Sequence, residues 1–215
     1  DREAYKRGTS VYLVDRVIPM LPEVLSNGIC SLNAGEDRYA MTCMMEIDTQ
    51  GKVVNYRIQP SIIHVNRRCS YKEIYKALTE DIIPDDLAPL MPMIHNLSDI
   101  AKTLNDMRRR RGALDFDFPE YKVLLDTEGT PLRIVRRDRT LAERLIEECM
   151  LIANETVATH LKNTNRTSVY RIHETPSEEK MSMYQKVLNY LGQDIRLRLD
   201  ELEPRVFQQI LDAVK

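Results

Sequence analysis

The stretch RYAMTCMMEIDTQGKVVNYRIQPSIIHV, residues 38–65, decides the fold. Arg38 to Asp48 alternates and is rich in Met and Thr, and Lys52 to Val65 is rich in Val, Ile and Tyr. β-Branched and aromatic side chains pack well on a pleated surface, so both segments read as strands. Asp48-Thr49-Gln50-Gly51 lies between them as a turn, which makes the pair a β-hairpin.

Upstream of the hairpin, Arg7 to Asn33 reads as loop-rich. Pro19 and Pro22 bracket Met20-Leu21, Ser26-Asn27-Gly28 is a turn signal, and Val11, Leu13 and Val17 predict a short strand. Downstream, helices dominate. Tyr71 to Leu78 is a short one. Leu87, Leu90, Met91, Ile94, Leu97, Ala101, Leu104 and Met107 recur at helical spacing, which predicts one long amphipathic helix from Leu87 to Arg111, ended by Gly112. A second hairpin pairs Tyr121–Leu125 with Leu132–Val135 through Glu128-Gly129. Another long helix runs from Arg139 to Leu161, with an apolar stripe of Ala142, Leu145, Ile146, Cys149, Ile152, Ala153, Thr156 and His160. Ser168 to His173 reads as a strand. Thr175-Pro176-Ser177-Glu178 has capping-box spacing with Pro at the first helical position, opening a helix that stops at Gly192. Pro204 opens a last helix. The fold class is α+β: antiparallel β-hairpins packed with several long helices, without a βαβ repeat.

The chain has 215 residues, of which 43% are hydrophobic and 30% charged, the profile of a globular domain with a core. No run approaches the roughly 18 apolar residues of a membrane span. Cys30, Cys43, Cys69 and Cys149 are widely spaced, show no CxxC pattern and read as thiols in a cytoplasmic protein. The first residue is Asp1 and the last, Lys215, falls within a helical pattern, so the chain reads as a piece of something longer. The net charge of −2 gives no support to nucleic-acid binding by itself. The bases are clustered, however, at Arg108 to Arg111 and at Arg133, Arg136, Arg137 and Arg139. Such runs are either solvated helix faces or phosphate-binding patches.

No G-x-S-x-G, P-loop, HExxH or Cys/His metal pattern is present, and His64, His95, His160 and His173 are scattered. Asp115 and Asp117 alternate with Phe116 and Phe118, which reads as one face of a short strand more readily than as a metal site. The residues therefore show no complete catalytic site. Glu147 and Asn154, seven positions apart, share a helix face with Glu143, opposite the apolar stripe, and Glu148 and Glu155 form a second such pair. That polar face meets either bulk water or a polar channel. Tyr12, Tyr71 and Phe116 lie next to basic or turn-forming residues. Aromatics interleaved with cations hold single-stranded nucleic acid by stacking and phosphate pairing, although ordinary packing accounts for any one of them.

Three collinear blocks add a resemblance. Arg7-Gly8-Thr9-Ser10-Val11-Tyr12, Pro19-Met20-Leu21-Pro22 and Leu25-Ser26-Asn27-Gly28-Ile29-Cys30-Ser31-Leu32 resemble the catalytic-domain signature of the ribonuclease R and ribonuclease II family. Leu145-Ile146-Glu147-Glu148-Cys149-Met150-Leu151-Ile152-Ala153-Asn154 resembles a second signature. Tyr170-Arg171-Ile172-His173 with Pro176-Ser177 resembles a third. The resemblance covers nearly all of the chain and makes residues 1–215 part of an RNB catalytic domain. It implies a processive 3′-to-5′ exoribonuclease that releases nucleoside 5′-monophosphates from the 3′ end of single-stranded RNA. The intact enzyme is implied to be a cytoplasmic monomer that uses magnesium (Mg2+) and no small-molecule cofactor. In the family that metal is held by an aspartate motif, here expected upstream of Asp1, and a catalytic arginine segment is expected downstream of Lys215. Residues 1–215 alone are then inactive.

Four positions carry over from the family. Tyr12 resembles the Tyr that stacks on the base at the RNA 3′ end, and Phe116 resembles its partner on the other side. Tyr71 resembles the Tyr that positions the terminal nucleotide and helps tell RNA from DNA. Glu147 resembles the catalytic-centre Glu that contacts the terminal nucleotide through ribose hydroxyls. Asn66-Arg67-Arg68-Cys69-Ser70-Tyr71 departs from the family's usual Ser-x-Ala-x-Leu-x-Tyr, so Tyr71 is assigned by position. The alternative is a non-catalytic RNA-binding relative that has lost the aspartates.

Overall fold

A computed structural model describes residues 2–114, 119–172, 174–193 and 204–214. The elements in order are α1 (Arg2–Arg7), β1 (Val11–Tyr12), β2 (Val17–Ile18), β3 (Asp37–Ile47), β4 (Val53–His64), α2 (Tyr71–Thr79), α3 (Met91–Arg111), β5 (Glu120–Leu125), β6 (Pro131–Arg137), α4 (Leu141–Asn163), α5 (Glu178–Tyr190) and α6 (Pro204–Val214). The strands form three two-stranded sheets, β1-β2, β3-β4 and β5-β6. This is the α+β arrangement of hairpins and long helices that the sequence predicts.

The chain divides into two compact units. One comprises the described residues of 1–44, 56–90 and 118–144, and the other those of 45–55, 91–117 and 145–215. In the first unit Leu87, Ala77 and Ala142 are buried. The second has the larger buried set: Ile94, Ala101 and Leu104 of α3, Leu145 and Ile152 of α4, Met181 and Leu188 of α5, and Ile210 of α6. Tyr184 of α5 stacks on Phe207 of α6, with ring centroids 6.1 Å apart.

Both predicted hairpins form. At the β3-β4 turn, Asp48 Oδ1 accepts hydrogen bonds from the backbone N–H groups of Gln50 and Lys52, each at 2.9 Å. Gly51 follows at φ +84, a conformation that disfavours any residue with a Cβ. In the second hairpin, Tyr121 pairs with Arg136 and Val123 with Ile134, and a register shift lies at Leu124/Leu125.

Four local expectations differ from the structure. The α3 helix begins at Met91, preceded by a 3-10 turn at Ala88–Leu90. Pro92 has no N–H to continue a regular ladder back from there, but it is accommodated in a first turn. Ser26-Asn27-Gly28 lies within a wide helical turn, Val24–Ile29, which breaks at Gly28. The segment 166–172 is irregular, not a strand, and Val169 and Ile172 are exposed there. A strand needs a neighbour for its backbone groups, and this segment pairs with none of the three described sheets. The α5 cap is Ser177, not Thr175. Its hydroxyl accepts from the Lys180 N–H, which leaves Glu178 and Glu179 in the first turn, where carboxylates suit the helix dipole.

Candidate nucleic-acid interface

Tyr12 is held out from the chain by a stitched support. Its strand pairs with β2, Val11 facing Ile18 and Tyr12 facing Val17. The two halves of the first block are tied across the turn. Arg7 Nη1 donates to the Pro19 carbonyl at 2.6 Å, and the Ser10 hydroxyl accepts from the Met20 N–H at 2.9 Å. The block thus fixes a short ribbon, and Tyr12 is 79% exposed on it. An aromatic ring on a braced ribbon, left mostly in water, is a surface available for stacking.

Tyr71 is the first residue of α2 and is also exposed. Its placement follows from a full capping box. The Ser70 hydroxyl accepts from the Glu73 N–H, and the Glu73 carboxylate accepts from the Ser70 N–H. Arg67 then grips the same Glu73 with both terminal nitrogens, at 2.9 and 2.6 Å, while its Nε donates to Asp86 at 2.7 Å. One guanidinium therefore joins the loop, the helix start and Asp86. The Arg67 hydrogen bonds hold both Glu73 and Asp86 below their ordinary carboxylate values, and Arg67 is raised above its own. A cavity of about 240 Å³ lies beside this helix start, lined by Ser70, Lys72, Glu73, Lys76, Ile82 and Pro84.

Glu147 lies on α4, and its side chain is 38% exposed. Its neighbour Glu148 meets neither of the surroundings the sequence left open, bulk water or a polar channel. Glu148 is 3% exposed. Arg108 holds it through two parallel hydrogen bonds, Nη2 to Oε1 at 2.7 Å and Nε to Oε2 at 2.9 Å. Asn105 donates to the same Oε1 at 2.8 Å. Position 148 falls on the stripe of Leu145, Ile152 and Thr156, so the stripe that α4 buries includes a paired carboxylate. Burial, and then the Glu148 charge, push the Cys149 thiol up.

The basic clusters largely meet carboxylates and carbonyls of their own chain. Beyond Arg108, Arg111 forks onto Glu155 at 2.9 and 2.6 Å, and Arg110 donates to the Gln50 carbonyl at 3.2 Å. Arg136 pairs with Asp138, and Arg137 lies near Glu120 and Glu143. Most of these arginines are therefore structural fasteners, a third role beside the two the sequence left open.

Tyr12 and Tyr71 belong to one unit and Glu147 to the other. Phe116 lies outside the described residues, as do Asp115, Asp117, Phe118 and His173. The Arg67 clamp and the Arg108–Glu148 pair were missed in the sequence. A signal for the first exists, since Ser70-x-x-Glu73 is itself a capping-box spacing. Among the described residues no three His, Cys, Asp or Glu side chains gather to hold a metal ion, so they do not fit the implied magnesium. Among them, too, no helix is long and apolar enough to cross a membrane.

The family model described as RNB domain matches residues 1–215. A ribonuclease R of Thermotoga maritima is 43% identical over 217 residues, covering 100% of this chain and 30% of that protein. Ribonuclease R 1 of Lactococcus lactis is 40% identical, covering 100% of this chain and 26% of that protein. Among solved structures, Mycoplasma genitalium RNase R in complex with ribose methylated single-stranded RNA superimposes with a TM-score of 0.93 at 29% identity. That match covers 99% of this chain and 33% of the solved one. The chain thus spans between a quarter and a third of the length of these relatives.

Proposed function

The chain belongs to the RNB domain family, and on that premise we propose that it forms one wall of the RNA channel in a processive 3′-to-5′ exoribonuclease. The whole protein hydrolyses single-stranded RNA to nucleoside 5′-monophosphates. The observation that carries this reading is the match along all of residues 1–215, a span that includes the blocks around Tyr12 and Glu147.

Each residue's part is the one its resemblance to the family implies, and its chemistry suits that part. Tyr12 offers a mostly exposed ring on a braced ribbon, and the last base of the RNA stacks on it. Phe116 takes the other side of the stacked bases. Tyr71, on a capped and clamped helix start, sets the position of the terminal nucleotide. Lys72 and Lys76, lining the cavity beside it, add positive charge for the backbone. Glu147 is an acceptor-only side chain when ionised, and the ribose 2′- and 3′-hydroxyls donate to it. The 2′-hydroxyl is the group that separates RNA from DNA, so a carboxylate facing it contributes, with Tyr71, to the preference for RNA.

The magnesium ligands belong to an aspartate motif upstream of Asp1, and the catalytic arginine to a segment downstream of Lys215. The intact protein works as a monomer in the cytoplasm, and residues 1–215 alone leave RNA intact. The test uses the full-length protein with magnesium and single-stranded RNA labelled at its 5′ end. Stepwise shortening from the 3′ end, with monophosphates released, is the expected result. RNA bound but uncut would favour the non-catalytic relative, and RNA neither bound nor cut would overturn the reading.

A further inference from the structure

Two adjacent glutamates on α4 have different surroundings. Glu148 is buried, with its oxygens occupied by Arg108 and Asn105. Glu147 is over a third exposed, and its Oε1 lies 4.0 Å from Arg108 Nη2. Successive helix positions point about 100° apart, so one cation addressing both carboxylates must be held at a set angle between them. The fork supplies that angle. A planar guanidinium bound through Nε and Nη2 to one carboxylate cannot rotate without breaking both bonds. The Arg108 side chain is itself only 20% exposed, so water does not replace the contact easily.

We infer that Arg108 is a positioning residue for Glu147. The buried Glu148 and Asn105 orient the guanidinium, and the guanidinium orients the Glu147 carboxylate toward the ribose of the terminal nucleotide. Glu148 acts through Arg108 and touches no substrate. This rests on the reading of Glu147 as the ribose contact. It adds that the aim of Glu147, and with it the selectivity for a ribose terminus, depends on a pair of residues behind it.

The test uses the full-length protein and two RNAs of one sequence, ending in ribose or in 2′-deoxyribose. Removal of the terminal nucleotide is measured in single turnovers, below the unfolding temperature of every variant. Glu147→Gln is expected to abolish the preference for ribose. Arg108→Lys keeps the charge but loses the fork, and it should lower the preference about tenfold, the size of one hydrogen bond to a charged group. Glu148→Gln should move it in the same direction. Adding Arg108→Lys to Glu147→Gln should change the preference no further. A purely structural role would slow both RNAs by the same factor. If Glu147→Gln removes the preference while Arg108→Lys and Glu148→Gln leave it intact, the inference fails and the ribose contact stands. If Glu147→Gln leaves the preference unchanged, both fail. Should Arg108→Lys not fold, the Glu148→Gln arm decides between the same outcomes.

Discussion

Arg108 and Glu148 meet through two parallel hydrogen bonds of 2.7 and 2.9 Å, and the carboxylate is 3% exposed. This joins α3 to α4 in the second unit by an ion pair whose carboxylate is buried. A buried pair contributes little beyond its hydrophobic replacement, yet breaking one half leaves a charge without compensation.

Arg108→Met should therefore destabilise the protein by about 3–5 kcal/mol. Arg111→Met, one turn on, should cost about 1 kcal/mol or less, because Arg111 and Glu155 are half exposed. Denaturant unfolding of the two variants measures the contrast. Equal losses would mean that burial does not set the difference.

Gly51 is buried at φ +84, and a Cβ there would stand 3.1 Å from Met107 Cβ and 3.2 Å from the Thr103 carbonyl oxygen. Gly129 has nearly the same φ, +86, with open space around it. Gly129→Ala should lose only the backbone term, about 1–2 kcal/mol. Gly51→Ala should lose that and more, since Met107 and the α3 backbone must give way. Thermal unfolding of both variants reads the steric part as their difference.

Acid should weaken the Arg67 clamp. Glu73 and Asp86 sit below their ordinary values, chiefly through Arg67's hydrogen bonds, so their stabilisation is complete above the unfolded carboxylate range. It is lost as pH falls through the lowered folded values. The raised Arg67 adds no change in this range, since it stays protonated throughout. Arg67→Gln should flatten the fall in Tm between roughly pH 5 and pH 2. An unchanged slope would show that the clamp does not couple folding to protonation.

Tyr12→Ala should leave stability unchanged, because Tyr12 is 79% exposed. In the full-length protein it should weaken binding of the RNA 3′ end by about 1–3 kcal/mol, the size of one lost stack. Binding of a labelled single strand with magnesium withheld, beside a melting curve, separates the two effects. Loss of both together would place Tyr12 in the scaffold.

The hairpins and helices were legible in the sequence where periodicity and turn residues agreed. Asp48 to Gly51, Glu128-Gly129 and Gly112 all act as read, since their conformations are local. The strand expected at Ser168 to His173 was not legible as irregular chain, because β-forming residues still need a partner that only the tertiary fold supplies. Glu148 shows the same limit at the site. Its helix position is plain from spacing, but its burial depends on Arg108 and Asn105, some forty residues away. The capping residue of α5 was misplaced by two positions because both Thr175 and Ser177 have a suitable hydroxyl. Tyr12, Tyr71 and Glu147 were singled out by neighbouring residues and by resemblance, and the structure adds the ribbon that carries Tyr12 and the capped helix start that carries Tyr71.

The most direct measurement is photo-crosslinking. The full-length protein is mixed with single-stranded RNA carrying 4-thiouridine as its last nucleotide, with magnesium chelated, and the crosslinked peptides are sequenced. Crosslinks at Tyr12 or Tyr71 are predicted, lost when the label is moved to the 5′ end. Crosslinks found only outside residues 1–215, or unchanged by moving the label, would contradict the account.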